Sequence, residues 1–287
     1  MKNLFVALLI LISSGSFAQK AWTSLLDKDL DHWDTYLSYR FEDGYKGAQP
    51  KDAAGNLIEP IGLNKDEFGV FTVIKEGNEP VLKISGEIYG CVVTKKDYRN
   101  YHFRLKVKWG DKKLPPREKL LKDSGIMYHS VGDFGKDYWR SWMLSQEFQV
   151  MEGHLGDFWS QQSSSIEIKA YLPEGSMMNP VADESQPFIP LGKGSEYGGF
   201  CLRSCNYEKT GEWNTLELIC YEGKSLHIVN GHVVMILQNS KYEKDGKTLP
   251  LDKGKIQLQS EAAEVFYKDI EIRELKSLPN EYAKYFK

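Results

Sequence analysis

From Tyr101 to Trp109 the chain reads YHFRLKVKW, with apolar and polar residues alternating without a break. A period of two fits a strand with one buried face and does not fit a helix. Tyr101, Phe103, Leu105, Val107 and Trp109 fall on the side expected to be core, and His102, Arg104, Lys106 and Lys108 on a solvated basic side. The same rule recurs in GVFTVI (69–74), VLKIS (81–85), GIMYH (125–129), IEIKAY (166–171), WNTLELICY (213–221), SLHIV (225–229), HVVMIL (232–237), KIQLQS (255–260) and VFYKDIEI (265–272). Asn230-Gly231 joins two of these runs, and both residues tolerate the positive φ that a two-residue hairpin needs. Many short strands without a long amphipathic helix predict an all-β, antiparallel two-sheet sandwich. Its core is expected to hold Phe103, Leu105, Val107, Phe148, Val150, Leu218, Ile256, Leu258 and Ile270. Leu114 to Lys122 reads as a short helix or an exposed loop. Leu37 to Asn64 and Leu172 to Phe200 are irregular insertions of the kind that form lids or binding rims.

The first residues carry a different signal. Lys2 precedes an apolar run from Leu4 to Ile12, and small residues lead to Ser16-Phe17-Ala18 before Gln19. This pattern predicts a signal peptide over 1–18 and an exported protein, periplasmic or secreted, with 19–287 as a single domain. The run is too short for a membrane span, and no later segment is continuously apolar enough for one. A formal charge of −3 argues against a generic nucleic-acid binder. The four cysteines, Cys91, Cys201, Cys205 and Cys220, allow three pairings that sequence does not choose between. They lack the tight Cys/His pairs of a zinc site.

Chemistry concentrates between Glu147 and Trp159, EFQVMEGHLGDFW. Alternation puts Glu147, Gln149 and Met151 on one face and Phe148 and Val150 on the other, so a carboxylate and an amide leave the core side by side. Glu152, His154, Asp157 and two aromatics follow at once. That density of acid–base groups beside rings able to stack on sugar faces suggests a polar groove. The Glu152/His154/Asp157 spacing permits a divalent metal with oxygen and nitrogen ligands, but it matches no standard metal signature. Trp33 and Trp213 read as core aromatics, and Cys220 as a buried thiol.

An ordered series of motifs carries a family resemblance. SLLDKDLDHW (24–33), DYRNYHFRLKVKW (97–109), DSGIMYHS (123–130), EFQVMEG (147–153), EWNTLELICYEGKSLHIVNG (212–231) and KIQLQSEAAEVFYKDIEIREL (255–275) together cover about Trp22 to Leu275. The chain resembles the 3-keto-disaccharide hydrolase domain family, formerly DUF1080. The resemblance implies a concanavalin A-like jelly roll acting on a carbohydrate. It departs where the family usually has Asn-Ser-Gly-Ile and this chain has Asp123, and where Tyr267-Lys268-Asp269-Ile270 replaces Phe-Arg-Asn-Ile.

The implied activity is cleavage of glycosides already oxidised to a ketone at C3. The ketone acidifies the C2 proton, a base removes it, and the enolate expels the C1 substituent. Such a site needs a base, a group for the enolate oxygen and an acid for the leaving group. Glu147 is the first candidate for base or metal ligand, and His154, paired with Glu152, for acid, base or metal ligand. Asp123, His129, Arg140, Gln149, Trp159, Gln259 and Glu261 are candidates for holding substrate, with Arg140 at an enolate or hydroxyl oxygen. Tyr138, Trp139 and Trp142 are further rings for stacking. A sugar 3-oxidoreductase acting upstream is the implied pathway partner. Two other readings fit these residues: a direct hydrolase using two carboxylates, and a carbohydrate-binding module, since the same sandwich hosts non-catalytic proteins.

Overall fold

The computed structural model describes residues 21–136, 139–175 and 179–287. The expected export signal and its cleavage point after Ala18 lie outside the described residues, as does Tyr138. The described chain is almost wholly strand, arranged in a twelve-stranded and an eight-stranded sheet whose named strands pair antiparallel. The alternating run from Tyr101 extends to Lys113 and pairs with Asn214–Tyr221 on one side and Ala263–Glu274 on the other, at the centre of the larger sheet. The smaller sheet runs Phe200–Cys201, Phe158–Ser160, Leu144–Met151, Asp123–Val131, Lys255–Ser260, Gly90–Thr94, Trp33–Leu37 and Gly62–Leu63.

The inward faces of the two sheets make one core. Phe103, Leu105 and Val107 meet Val92, Ile126, Phe148, Val150, Ile256 and Leu258, together with Leu218, Ile270 and Trp33, all buried. Polar side chains that point inward are tied across the gap. The Ser124 hydroxyl lies 2.7 Å from that of Tyr267, and Gln146 Nε2 donates to Ser165 O (2.9 Å) and Ser240 Oγ (3.0 Å). A buried amide without such partners would cost a few kcal/mol. The Asn230-Gly231 turn has φ of 50° and 83°, the positive values its sequence predicted.

Two local readings need correction. His102 does not lie on a solvated face; it is buried, 2.8 Å from Glu217 and 3.1 Å from Arg273. Trp213 is not core but half-buried on the outer face, where Lys108 and Lys268 lie over its ring. Past the last strand, Leu278, Tyr282 and Phe286 pack onto a cluster containing Ile219 and Leu226. All four cysteines are free thiols, with Cys205 exposed and the other three buried. No helix among the described residues is long and apolar enough to cross a membrane.

Candidate functional site

The side chains that alternate away from the core of the smaller sheet form a polar layer, and its register sets the site. Met127 stands opposite Glu147, which in turn stands opposite Trp159; Gly125 stands opposite Gln149, and a bridge joins Asp123 to Glu261. Gln259, on the next strand, pairs with Cys91. Glu147, Gln149, Gln259, Asp123 and Glu261 therefore share one face and surround Gly125. Having no side chain, Gly125 leaves a hollow in the layer that the tips of Glu147 and Gln259 occupy. A Cβ built there would fall on Glu147 Oε1 and 2.5 Å from Gln259 Oε1. Two side-chain oxygens thus lie together over Gly125.

The carboxylates are held from outside the hollow. Gln161 Nε2 donates to Glu147 Oε2 at 2.5 Å, and Gln149 Nε2 to Asp123 Oδ1 at 2.5 Å. Arg117 reaches over from the connection after Lys113, its Nη2 at 2.5 Å from Asp123 Oδ2 and Nη1 at 3.4 Å from Glu261 Oε1. Burial pushes Asp123 up to about 6, with the Arg117 charge opposing it. Burial also works against the Arg117 charge, but Asp123, Glu261 and Tyr89 together outweigh it and hold the guanidinium above its ordinary value. Tyr89, buried beside this pair, is pushed well up by burial and then by the charge of Glu261. The side chain of Glu147 is nearly closed off at 2% exposure, whereas Arg117 keeps 20% and Trp159 41%. Solvent therefore reaches the cluster from the Arg117 and Trp159 sides.

The structure does not gather every expected residue here. His129 has φ 53° in an irregular stretch of its strand, which turns the ring inward. It packs edge-on against Tyr101 and Tyr128, and burial lowers it to about 4. It is a core histidine and not a groove residue. Arg140 is exposed in a neighbouring loop, where its charge acts on Tyr39. Glu152 does not partner His154: it pairs with Lys122 at 3.3 Å on the rim. His154 instead places Nδ1 3.0 Å from Asp157 Oδ2 and 3.2 Å from Arg203 Nη1, and its charge reaches Asp123. Arg117, Tyr89, Gln161 and Gly125 belong to the cluster without having been expected there.

The Glu152/His154/Asp157 set does not fit a divalent ion. Glu152 is turned to Lys122, and Asp157 Oδ1 accepts from Arg203 at 2.9 Å, so an arginine stands where a cation would have to sit. Among the described residues no group of three or more His, Cys, Asp or Glu is arranged to hold a metal.

Beside the hollow, rings cover the part of this face above Cys91 and Val93. Tyr36, Tyr45, Tyr89 and Trp142 are buried there, with Phe41 and Trp139 packed on them. Trp142 Nε1 donates to Gly90 O at 2.8 Å, and Trp139 lies edge-on to Tyr89 at 5.3 Å. Tyr39, Phe41 and Tyr45 come from the Leu37–Asn64 insertion, which folds onto the sheet as a lid.

Residues 21–273 match the model of the 3-keto-alpha-glucoside-1,2-lyase-like domain. No curated protein matches the chain. Among solved structures, it is similar to a protein assigned as a glycosyl hydrolase from Parabacteroides distasonis, at 16% identity over 89% of this chain and 94% of that one, with a TM-score of 0.46. It is also similar to the carbohydrate-binding module CBM66 from Bacillus subtilis, at 9% identity over 71% and 92%, TM-score 0.39. Alginate lyase AlyC3 is similar at 11% identity over 85% and 90%, TM-score 0.38.

Proposed function

The chain belongs to the 3-keto-alpha-glucoside-1,2-lyase-like family and is a glycoside-cleaving enzyme acting on 3-keto sugars; on that premise we propose that the hollow above Gly125 is its active site. The observation that carries this is the convergence of Glu147 Oε1 and Gln259 Oε1 on the space a side chain at Gly125 would fill.

Glu147 is the base. Its Oε2 accepts from Gln161, and its Oε1, beside Gly125, takes the C2 proton. The C2–H electron pair moves into the C2–C3 bond and the ketone becomes an enolate. When the ketone re-forms, the C1–O bond breaks, the leaving oxygen departs with its pair, and a C1–C2 double bond remains. Water addition to that product gives net hydrolysis. The enolate oxygen needs a fixed positive partner in a water-poor setting, and Arg117 supplies a guanidinium held above its ordinary value beside the Tyr89 hydroxyl. Asp123 and Glu261 orient that guanidinium. Gln149 braces Asp123, and Gln259 accepts from a sugar hydroxyl. Held through Nδ1 by Asp157, His154 exchanges a proton with the leaving oxygen through Nε2.

We read residues 1–18 as an export leader and 19–287 as one catalytic domain, in a periplasmic or secreted enzyme. The ketone is then supplied by a separate sugar 3-oxidoreductase. The test incubates the protein with a 3-keto-glucoside and with its unoxidised parent and follows release of the leaving group. Release from the keto sugar alone is expected, with slowing or solvent exchange when C2 carries deuterium. Efficient cleavage of the plain glycoside with C2–H untouched would replace this reading with a two-carboxylate hydrolase.

A further inference from the structure

The two ends of the groove are built differently. Towards the Gly90–Thr94 and Trp33–Leu37 strands the hollow runs into interlocked rings. Tyr89 lies 5.8 Å from Trp142, 5.3 Å from Trp139 and 5.0 Å from Phe41, and Tyr45 lies 6.0 Å from Trp139. Tyr45, Tyr89 and Trp142 are buried, and Trp142 is anchored to Gly90 O. Towards the opposite edge the face ends on Trp159, directly across the ladder from Glu147. Its indole is the most exposed tryptophan surface bordering the cluster, and Phe200 on the next strand lies 4.6 Å from it at 43°. Two adjoining rings at the mouth of a polar hollow make a stacking platform for a flat apolar face.

We infer that the leaving group lies across Trp159 and Phe200, with the 3-keto sugar beside Glu147. This rests on the active-site reading above and adds the direction in which substrate lies. The platform selects leaving groups with a flat apolar face, whether the C–H face of a second pyranose or an aryl ring. A small alkyl leaving group gains nothing from it.

The test compares wild type with Trp159→Ala and Trp159→Phe on three substrates: a 3-keto-disaccharide, an aryl 3-keto-glucoside and methyl 3-keto-glucoside. Removing one stacking ring is expected to lower kcat/KM on the first two by about tenfold more than on the methyl glycoside, mainly through KM. Trp159→Phe restores most of that loss. Equal losses on all three substrates would overturn the inference and leave the active-site reading standing. Failure of the wild type on every 3-keto substrate would instead bring down the reading beneath it. A preference confined to the disaccharide or to the aryl glycoside identifies which flat face the platform serves.

Discussion

Replacing Gly125 with alanine separates the chemistry of the hollow from the stability of the sheet. Gly125 lies in a regular part of its strand, so alanine meets no backbone obstacle there. Loss of chain freedom in the unfolded state favours alanine by about 0.4–1 kcal/mol. Against this, the new methyl falls on Glu147 Oε1 and lies 2.5 and 3.0 Å from Gln259 Oε1 and Cδ, so both side chains must move. Overpacking of this kind costs about 1–3 kcal/mol. The net effect is about 0–2.5 kcal/mol of destabilisation, a fall in melting temperature of at most about 10 °C at this chain length. Turnover is far more sensitive, because displacing a positioned base by about 1 Å costs about a hundredfold. Thermal unfolding and kcat/KM on a 3-keto-glucoside, measured on one preparation, give both numbers. A folded Gly125→Ala protein with undiminished turnover would mean that substrate does not enter this hollow.

Glu147→Gln keeps the shape of the site and removes the base, so kcat is expected to fall by about two to four orders of magnitude with unfolding little changed; normal turnover would shift the role to His154. Asp123 titrates higher folded than unfolded, so the native state binds the extra proton and stability falls as pH rises from about 4 to about 6. Asp123→Asn removes that contribution, and the stability gap between wild type and variant in urea is expected to change by about 3 kcal/mol across the window; a constant gap would refute the shift. Burial holds His129 at about 4 and His227 at about 3, both below the unfolded value, so their contribution is full above about pH 6.5 and is lost as pH falls towards those values. His129→Asn, which suits the positive φ, is expected to unfold less steeply with acid than wild type in a urea series between pH 7 and 4.5. Arg117→Met leaves Asp123 and Glu261 facing each other without their cation, and is expected to lower kcat/KM by at least a hundredfold while moving the acid limb of the pH–rate profile upward.

The sandwich was legible because burial writes itself into a period of two. All nine core residues read from alternation, Phe103 to Ile270, are buried between the sheets. The same period put Glu147, Gln149 and Gln259 on a common outward face. It failed at His129, where an irregular, positive-φ residue reverses the side chain and no neighbouring residue type announces it. Arg117 was illegible for a different reason. It lies in PPREKLLKD, whose charges read as solvated, and only the fold of that connection brings one of them over Asp123. Gly125 carried no signal of its own, since an absent side chain matters only once its neighbours are known.

Cys205 gives the molecule a single addressable point. It is the one exposed thiol of the four and follows two residues after Arg203, whose guanidinium grips the Gly153 carbonyl, Asp157 and the His154 ring. A small fluorophore attached there by a maleimide would sit beside the turn that carries His154 and away from the hollow itself. Its emission would report, in real time and without a chromogenic leaving group, whether that turn shifts as sugar arrives.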